Sequence, residues 1–247
     1  MNRQNPISFN YIPLASGISD LQVMTEIRNS FVAGLEVING HELASEQVDS
    51  HTPLILLVLS GGTEALIAGL LAKRDPESAR EPVLLIAHPG NNSLAASLEA
   101  LAFIWQRHGK GEIIFFREGA DSQARETLAE RVQDLFAYRA LQKSRIGLIG
   151  ESSEWLVAST LDDTVFKTRW GVTIVHYTLD EVFGELAGAH PGAEVPAVSG
   201  FAAAAPAFHA AWRVHELLQR LAVDEELDGL SVECFTLFQR HNTHGCF

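Results

Sequence analysis

The sequence predicts an α/β protein in which parallel sheets are wound with helices on both faces, and three observations carry that prediction. Apolar runs without alternation recur, above all Leu54 to Leu59 and Pro82 to Ala87, as expected of strands buried on both faces. Each run ends in a turn of small or polar residues, Ser60-Gly61-Gly62-Thr63 after the first and His88-Pro89-Gly90-Asn91-Asn92-Ser93 after the second. A helix-compatible segment then intervenes before the next run. Alternation of this kind implies right-handed crossovers in a doubly wound, flavodoxin-like sheet. A second unit of the same kind starts near Arg145, so the expected architecture is two flavodoxin-like parallel-sheet domains, residues 1–143 and 144–247. The second is expected to be incomplete at its C-terminal end.

Taken in order, Ile7 to Leu14 reads as the first strand, closed by the turn Ala15-Ser16-Gly17. From Asp20 onward, Leu21, Met24, Ile27, Phe31 and Leu35 follow helical spacing, and a short strand is expected near Val37-Ile38 before Asn39-Gly40. His41 to Ser50 is polar and reads as a short helix or loop. The run that opens at Pro53 is the predicted centre of the sheet, and Thr63 is predicted to cap the helix from Ala65 to Leu71. Lys73 to Pro76 is a charged linker. Helices are predicted from Leu94 to about His108 and from Asp121 to Lys143, the second with Leu128, Val132, Leu135 and Leu141 on one face. A fifth strand, Ile113 to Phe116, lies between them.

In the second unit, Ile146 to Gly150 reads as a strand and Glu151 to Leu156 as its turn and the first helical residues. Trp170-Gly171 ends the next helix, Val172 to His176 is a strand, and Leu179 to Leu186 is a short helix. The Ala-, Pro- and Gly-rich stretch from Gly188 to Ala205 reads as a loop. Phe208 to Leu221 returns to helix with Trp212, Val214, Leu217, Leu218 and Leu221 on its apolar side, and Leu230 to Phe235 is the last predicted strand. The segment Phe238 to Phe247 carries no polar tail and no helix cap, from which further polypeptide is expected.

A chain of 247 residues with 47% hydrophobic content can fill one large or two medium cores. Its formal charge of −13 argues against a nucleic-acid partner, because the phosphate backbone would be repelled. No apolar run approaches the roughly 20 residues that span a bilayer, and the polar start is not a secretory signal, so no membrane partner and a cytoplasmic location are expected. Cys234 and Cys246 are too few for a disulfide framework and are read as reduced thiols.

Ligands of open α/β sheets bind beyond the carboxyl ends of the strands. Gly61, Gly62 and Thr63 are therefore candidate ligand-binding residues, or else a plain strand-to-helix connection. Glu64 either points into the crevice or favours the helix N-terminus electrostatically. His88, with Asn91 in the same turn, either faces the crevice or caps its turn. Trp155 either stacks on a sugar face or packs helix on sheet. His241, His244 and Cys246 have metal-ligand chemistry but lack a fourth partner, so no metal is assigned within the chain. Cys234 reads as a small buried hydrophobe, and no catalytic residue is identified. No phosphate loop, dinucleotide fingerprint or nucleophile elbow occurs.

The segments Ser60 to Glu64, His88 to Glu99, Gly150 to Leu156, Val232 to Phe235 and Thr243 to Cys246, in this order and spacing, resemble the L-fucose isomerase and L-arabinose isomerase family over about Ile7 to Phe247. The resemblance implies a cytoplasmic, oligomeric aldose–ketose isomerase whose substrate is a small-molecule sugar. It also implies a divalent metal, usually manganese, held by residues beyond this chain, so that the chain alone is expected to be inactive. Gly150-Glu151-Ser152-Ser153-Glu154-Trp155 departs from the Gly-Pro-Ser-Asp-Trp-like sequence common in that family. The alternative is a non-catalytic two-lobed module that binds a sugar or another small polar ligand.

Overall fold

The computed structural model describes residues 7–76, 78–158, 160, 162–187 and 206–243. The chain divides into two compact units, Met1–Arg139 and Ala140–Phe247. Both are α/β with purely parallel sheets flanked by helices, the doubly wound, flavodoxin-like class that the alternation of runs and turns predicts.

The first unit contains β1 (Phe9–Leu14), α1 (Leu21–Glu36), β2 (Gly40–Glu42), β3 (Ile55–Val58), α2 (Glu64–Ala72), β4 (Val83–Ala87), α3 (Ser93–Gln106), β5 (Gly111–Phe115) and most of α4 (Ser122–Lys143). Its strand order is β2-β1-β3-β4-β5. Because side chains alternate across a strand, the central strands feed two separate cores. Tyr11, Leu57 and Ile86 face Phe31 of α1 and Leu128 and Val132 of α4. Ile12, Leu56 and Leu85 face Ile67 of α2 and Ala100 and Ile104 of α3. β3 and β4 are buried along their whole length, which is why they lack a polar face in the sequence. Of the residues predicted for the apolar face of α4, Leu141 is instead exposed.

Four local predictions are corrected. The short strand lies after Asn39 rather than at Val37-Ile38: α1 runs on through tight turns from Ile38 and Asn39 to Leu35 and Glu36, and left-handed Asn39 (φ 61°) then redirects the chain into β2. Thr63 precedes α2 but does not cap it with its side chain, because its buried hydroxyl donates to the Ser60 carbonyl at 3.0 Å. No helix starts between Glu151 and Leu156, where the chain makes only a turn closed by Leu156 N to Ser153 O. The next helix waits for Asp162, whose carboxylate caps it through Thr164 N at 2.7 Å. The last strand stops at Val232, and Cys234–His241 is helical.

The second unit holds β6 (Arg145–Ile149), α5 (Asp163–Trp170), β7 (Thr173–Tyr177), α6 (Leu179–Phe183), α7 (Pro206–Asp224), β8 (Gly229–Val232) and α8 (Cys234–His241). Its strand order, β7-β6-β8, repeats the β2-β1-β3 arrangement that opens the first unit. Phe183, Val214 and Leu237 close its core against Ile149. The predicted loop Gly188 to Ala205 lies outside the described residues, as do His244 and Cys246. No helix among the described residues is long and apolar enough to cross a membrane.

Candidate functional site

In each sheet the chain leaves the first strand in one direction and later returns to its other side, so the carboxyl ends of β1 and β3, and of β6 and β8, mark the topological switch points, the places where open α/β sheets bind ligands. In the first unit that rim is built from serines. Ser60, 2% exposed, accepts the Ser16 amide at 2.9 Å and the Ser19 hydroxyl at 3.1 Å. These bonds join the turns after β1 and β3. Gly62 adopts a left-handed φ of 77° at this junction, and a Cβ there would sit 3.0 Å from Ser16 Oγ. Glycine supplies both the conformation and the room.

The turn after β4 presses on the same rim from the other side. The Gly61 amide donates to Asn91 O at 2.8 Å, and a Cβ at Gly61 would lie 3.0 Å from the Asn92 Cβ. Asn91 and Asn92 both take left-handed backbone, which asparagine tolerates better than other side chains. Ser93, fully buried, ties the two strand ends: its hydroxyl donates to Val58 O and accepts the His88 amide at 3.0 Å.

His88 is also committed. Its Nε2 lies 3.1 Å from the Leu59 carbonyl, which only accepts, so Nε2 carries the proton. Nδ1 then accepts the Gly90 amide at 3.2 Å. The ring packs 5.5 Å from Phe31, and burial holds its pKa below the usual imidazole value. His88 is thus a neutral cross-link between the β3 and β4 turns. Glu64 occupies the first position of α2 and is half-buried.

The rim therefore brings together Gly61, Gly62, Thr63, Glu64, Asn91 and His88, with His88 beneath the surface rather than at it. Sequence reasoning passed over Ser16, Ser19 and Ser60 as a group. The signal available was that Ser16 and Ser60 each follow an apolar run within two residues.

Trp155 belongs to the second unit, at the corresponding strand ends. It is exposed and meets exposed Phe235 edge-on, with centroids 5.5 Å apart. Beside it, the Glu233 carboxylate accepts the Glu151 amide at 2.8 Å and the Thr236 hydroxyl, and these bonds pull its pKa below the usual carboxylate range. Cys234 opens α8 and is half-buried. His241 is the last residue of α8.

These two rims offer hydroxyls, amides, one ring pair and, in the second unit, the Glu233 carboxylate already bonded to a backbone amide. That chemistry suits hydrogen bonding to an uncharged, oxygen-rich ligand. Among the described residues, no group of three or more His, Cys, Asp or Glu side chains is placed to hold a metal ion. The sequence matches no protein-family model and no curated protein.

Proposed function

We propose that the chain forms the two α/β units of a cytoplasmic, self-associating aldose–ketose isomerase of the L-fucose and L-arabinose type, with the serine rim of the first unit receiving the sugar. The observation that carries the reading is the junction at the switch point of a parallel sheet, where the buried Ser60 hydroxyl accepts the Ser16 amide and the Ser19 hydroxyl and the neutral side chains of Ser16 and Ser19 are half-buried. A polyol ligand exchanges hydrogen bonds with such groups without the cost of desolvating a charge. In the second unit, taken by itself, Trp155 presents an exposed apolar face of the kind that packs on the C–H surface of a pyranose.

Saturation-transfer NMR with L-fucose and L-arabinose tests the reading, run with and without manganese and paired with an assay for ketose. The expected result is weak transfer to either sugar, reduced by Ser19→Ala, with no ketose formed by this chain alone. No transfer to either sugar would overturn the proposal. Tight sugar binding independent of manganese would replace it with a non-catalytic binding module.

A further inference from the structure

A cavity of about 130 Å³ opens at the other end of the first unit's sheet, where β4 and β5 begin. Leu71, Val83 and Ile104 give it an apolar wall, and its charged lining is three cations, Arg74, Arg107 and Lys110, against one carboxylate, Glu81. That carboxylate is already spent. Glu81 takes Arg74 Nη2 at 3.2 Å and Arg139 Nη1 at 2.9 Å, and its own carbonyl takes Arg74 Nη1 at 3.0 Å. The other nearby carboxylate, Asp75, is engaged 2.6 Å from His51 Nδ1.

The cations are not spent in the same way. The Arg74 side chain is 3% exposed, yet its buried Nε finds no acceptor among the described residues. Arg107 and Lys110 form no ion pair among those residues and are held instead over aromatic faces, Arg107 at 3.6 Å from the Phe103 centroid and Lys110 at 5.3 Å from that of Tyr138. Cation–π contacts fix the side chains without neutralising them. In a chain of net charge −13, this is a local concentration of uncompensated positive charge around a concave surface.

We propose that this cavity binds a small oxyanion of the phosphate class, free phosphate or a phosphate monoester, between the buried guanidinium of Arg74 and the exposed heads of Arg107 and Lys110. Guanidinium groups present forked donors matched to phosphate oxygens, and the ammonium adds a point charge. The apolar wall suits the organic part of an ester. The site is independent of the sugar reading, and it stands or falls without it.

Calorimetric titration at constant ionic strength in chloride buffer tests it, with inorganic phosphate and phenyl phosphate as separate probes. Both are expected to bind saturably, with the ester tighter if the apolar wall contributes and equal if only the phosphate is read. Arg107→Gln with Lys110→Gln, two exposed positions whose change leaves the core intact, is expected to weaken binding by about tenfold or more. Arg117→Gln, a distant surface control, should leave it unchanged. Absence of saturable binding by both probes, or equal binding by the double variant, would overturn the proposal.

Discussion

His88 Nε2 and the carbonyl oxygen of Leu59 stand 3.1 Å apart, so an imidazole at the end of β4 bonds the backbone at the end of β3. Burial disfavours the charged ring and outweighs the Leu59 bond, which on its own favours it, while Nδ1 can accept the Gly90 amide only when the ring is neutral, so the folded-state pKa lies below the ordinary 6.5. The unfolded chain then binds the proton more readily than the folded chain. The stability tied to the neutral ring is complete above about pH 6.5 and is lost as pH falls toward the depressed folded value. His88→Gln is expected to cost about 1–3 kcal/mol at pH 8, through unsatisfied buried partners. Thermal melts between pH 8 and pH 5 should show a shallower acid decline in the variant than in the parent protein.

Ser60→Ala removes an acceptor from the Ser16 amide and from the Ser19 hydroxyl at once. The turns after β1 and β3 lose their direct side-chain link, and the expected cost is about 1–2 kcal/mol in a urea melt. Ser19→Ala, which keeps the amide bond, should cost less than about 1 kcal/mol. Equal costs would mean that the amide bond contributes nothing.

The fold was legible because the signals that carry it are local. Leu54 to Leu59 and Val83 to Ala87 announce buried parallel strands by themselves, and Asp20 announces the helix that it caps through Gln22 N at 2.8 Å. The errors came where short segments depend on tertiary partners. Cys234 to Phe238 has the aromatic and apolar content of a strand, yet it coils because Leu237 must reach the core formed by Ile149, Phe183 and Val214. Ser60 lies 44 residues from Ser16 and 41 from Ser19, and no periodicity pairs it with them. Arg74 sat in what reads as a charged linker, and its network depends on Arg139, 58 residues beyond Glu81.

That network yields a prediction of its own. The Arg74 and Glu81 side chains are 3% and 4% exposed, so Glu81→Gln strands a buried guanidinium without its counter-charge. Breaking a buried pair from one side costs about 3–5 kcal/mol. Arg74→Met combined with Glu81→Leu removes both buried charges and is expected to recover part of that loss, although among the described residues Arg139 keeps only the His51 carbonyl at 2.9 Å. Chemical denaturation of the two variants should rank the double above the single.

In the second unit, Gly150 carries a left-handed φ of 83°, and a Cβ added there would fall 2.6 Å from the Glu233 Cβ. Both the backbone and the space exclude a side chain, since Glu233 is itself held by Glu151 N at 2.8 Å and by its amide to Ile149 O at 2.8 Å. Gly150→Ala must therefore push the β8 end away from the β6 end. The expected loss is more than about 1 kcal/mol. Glu233→Gly in the same chain opens the space but leaves the φ unsuited to alanine, so the double variant should recover the steric part alone. Hydrogen exchange at the Glu151 and residue 233 amides reads the outcome locally. Full protection in Gly150→Ala would show that the two strand ends separate without disturbing their hydrogen bonds, contrary to the packing described.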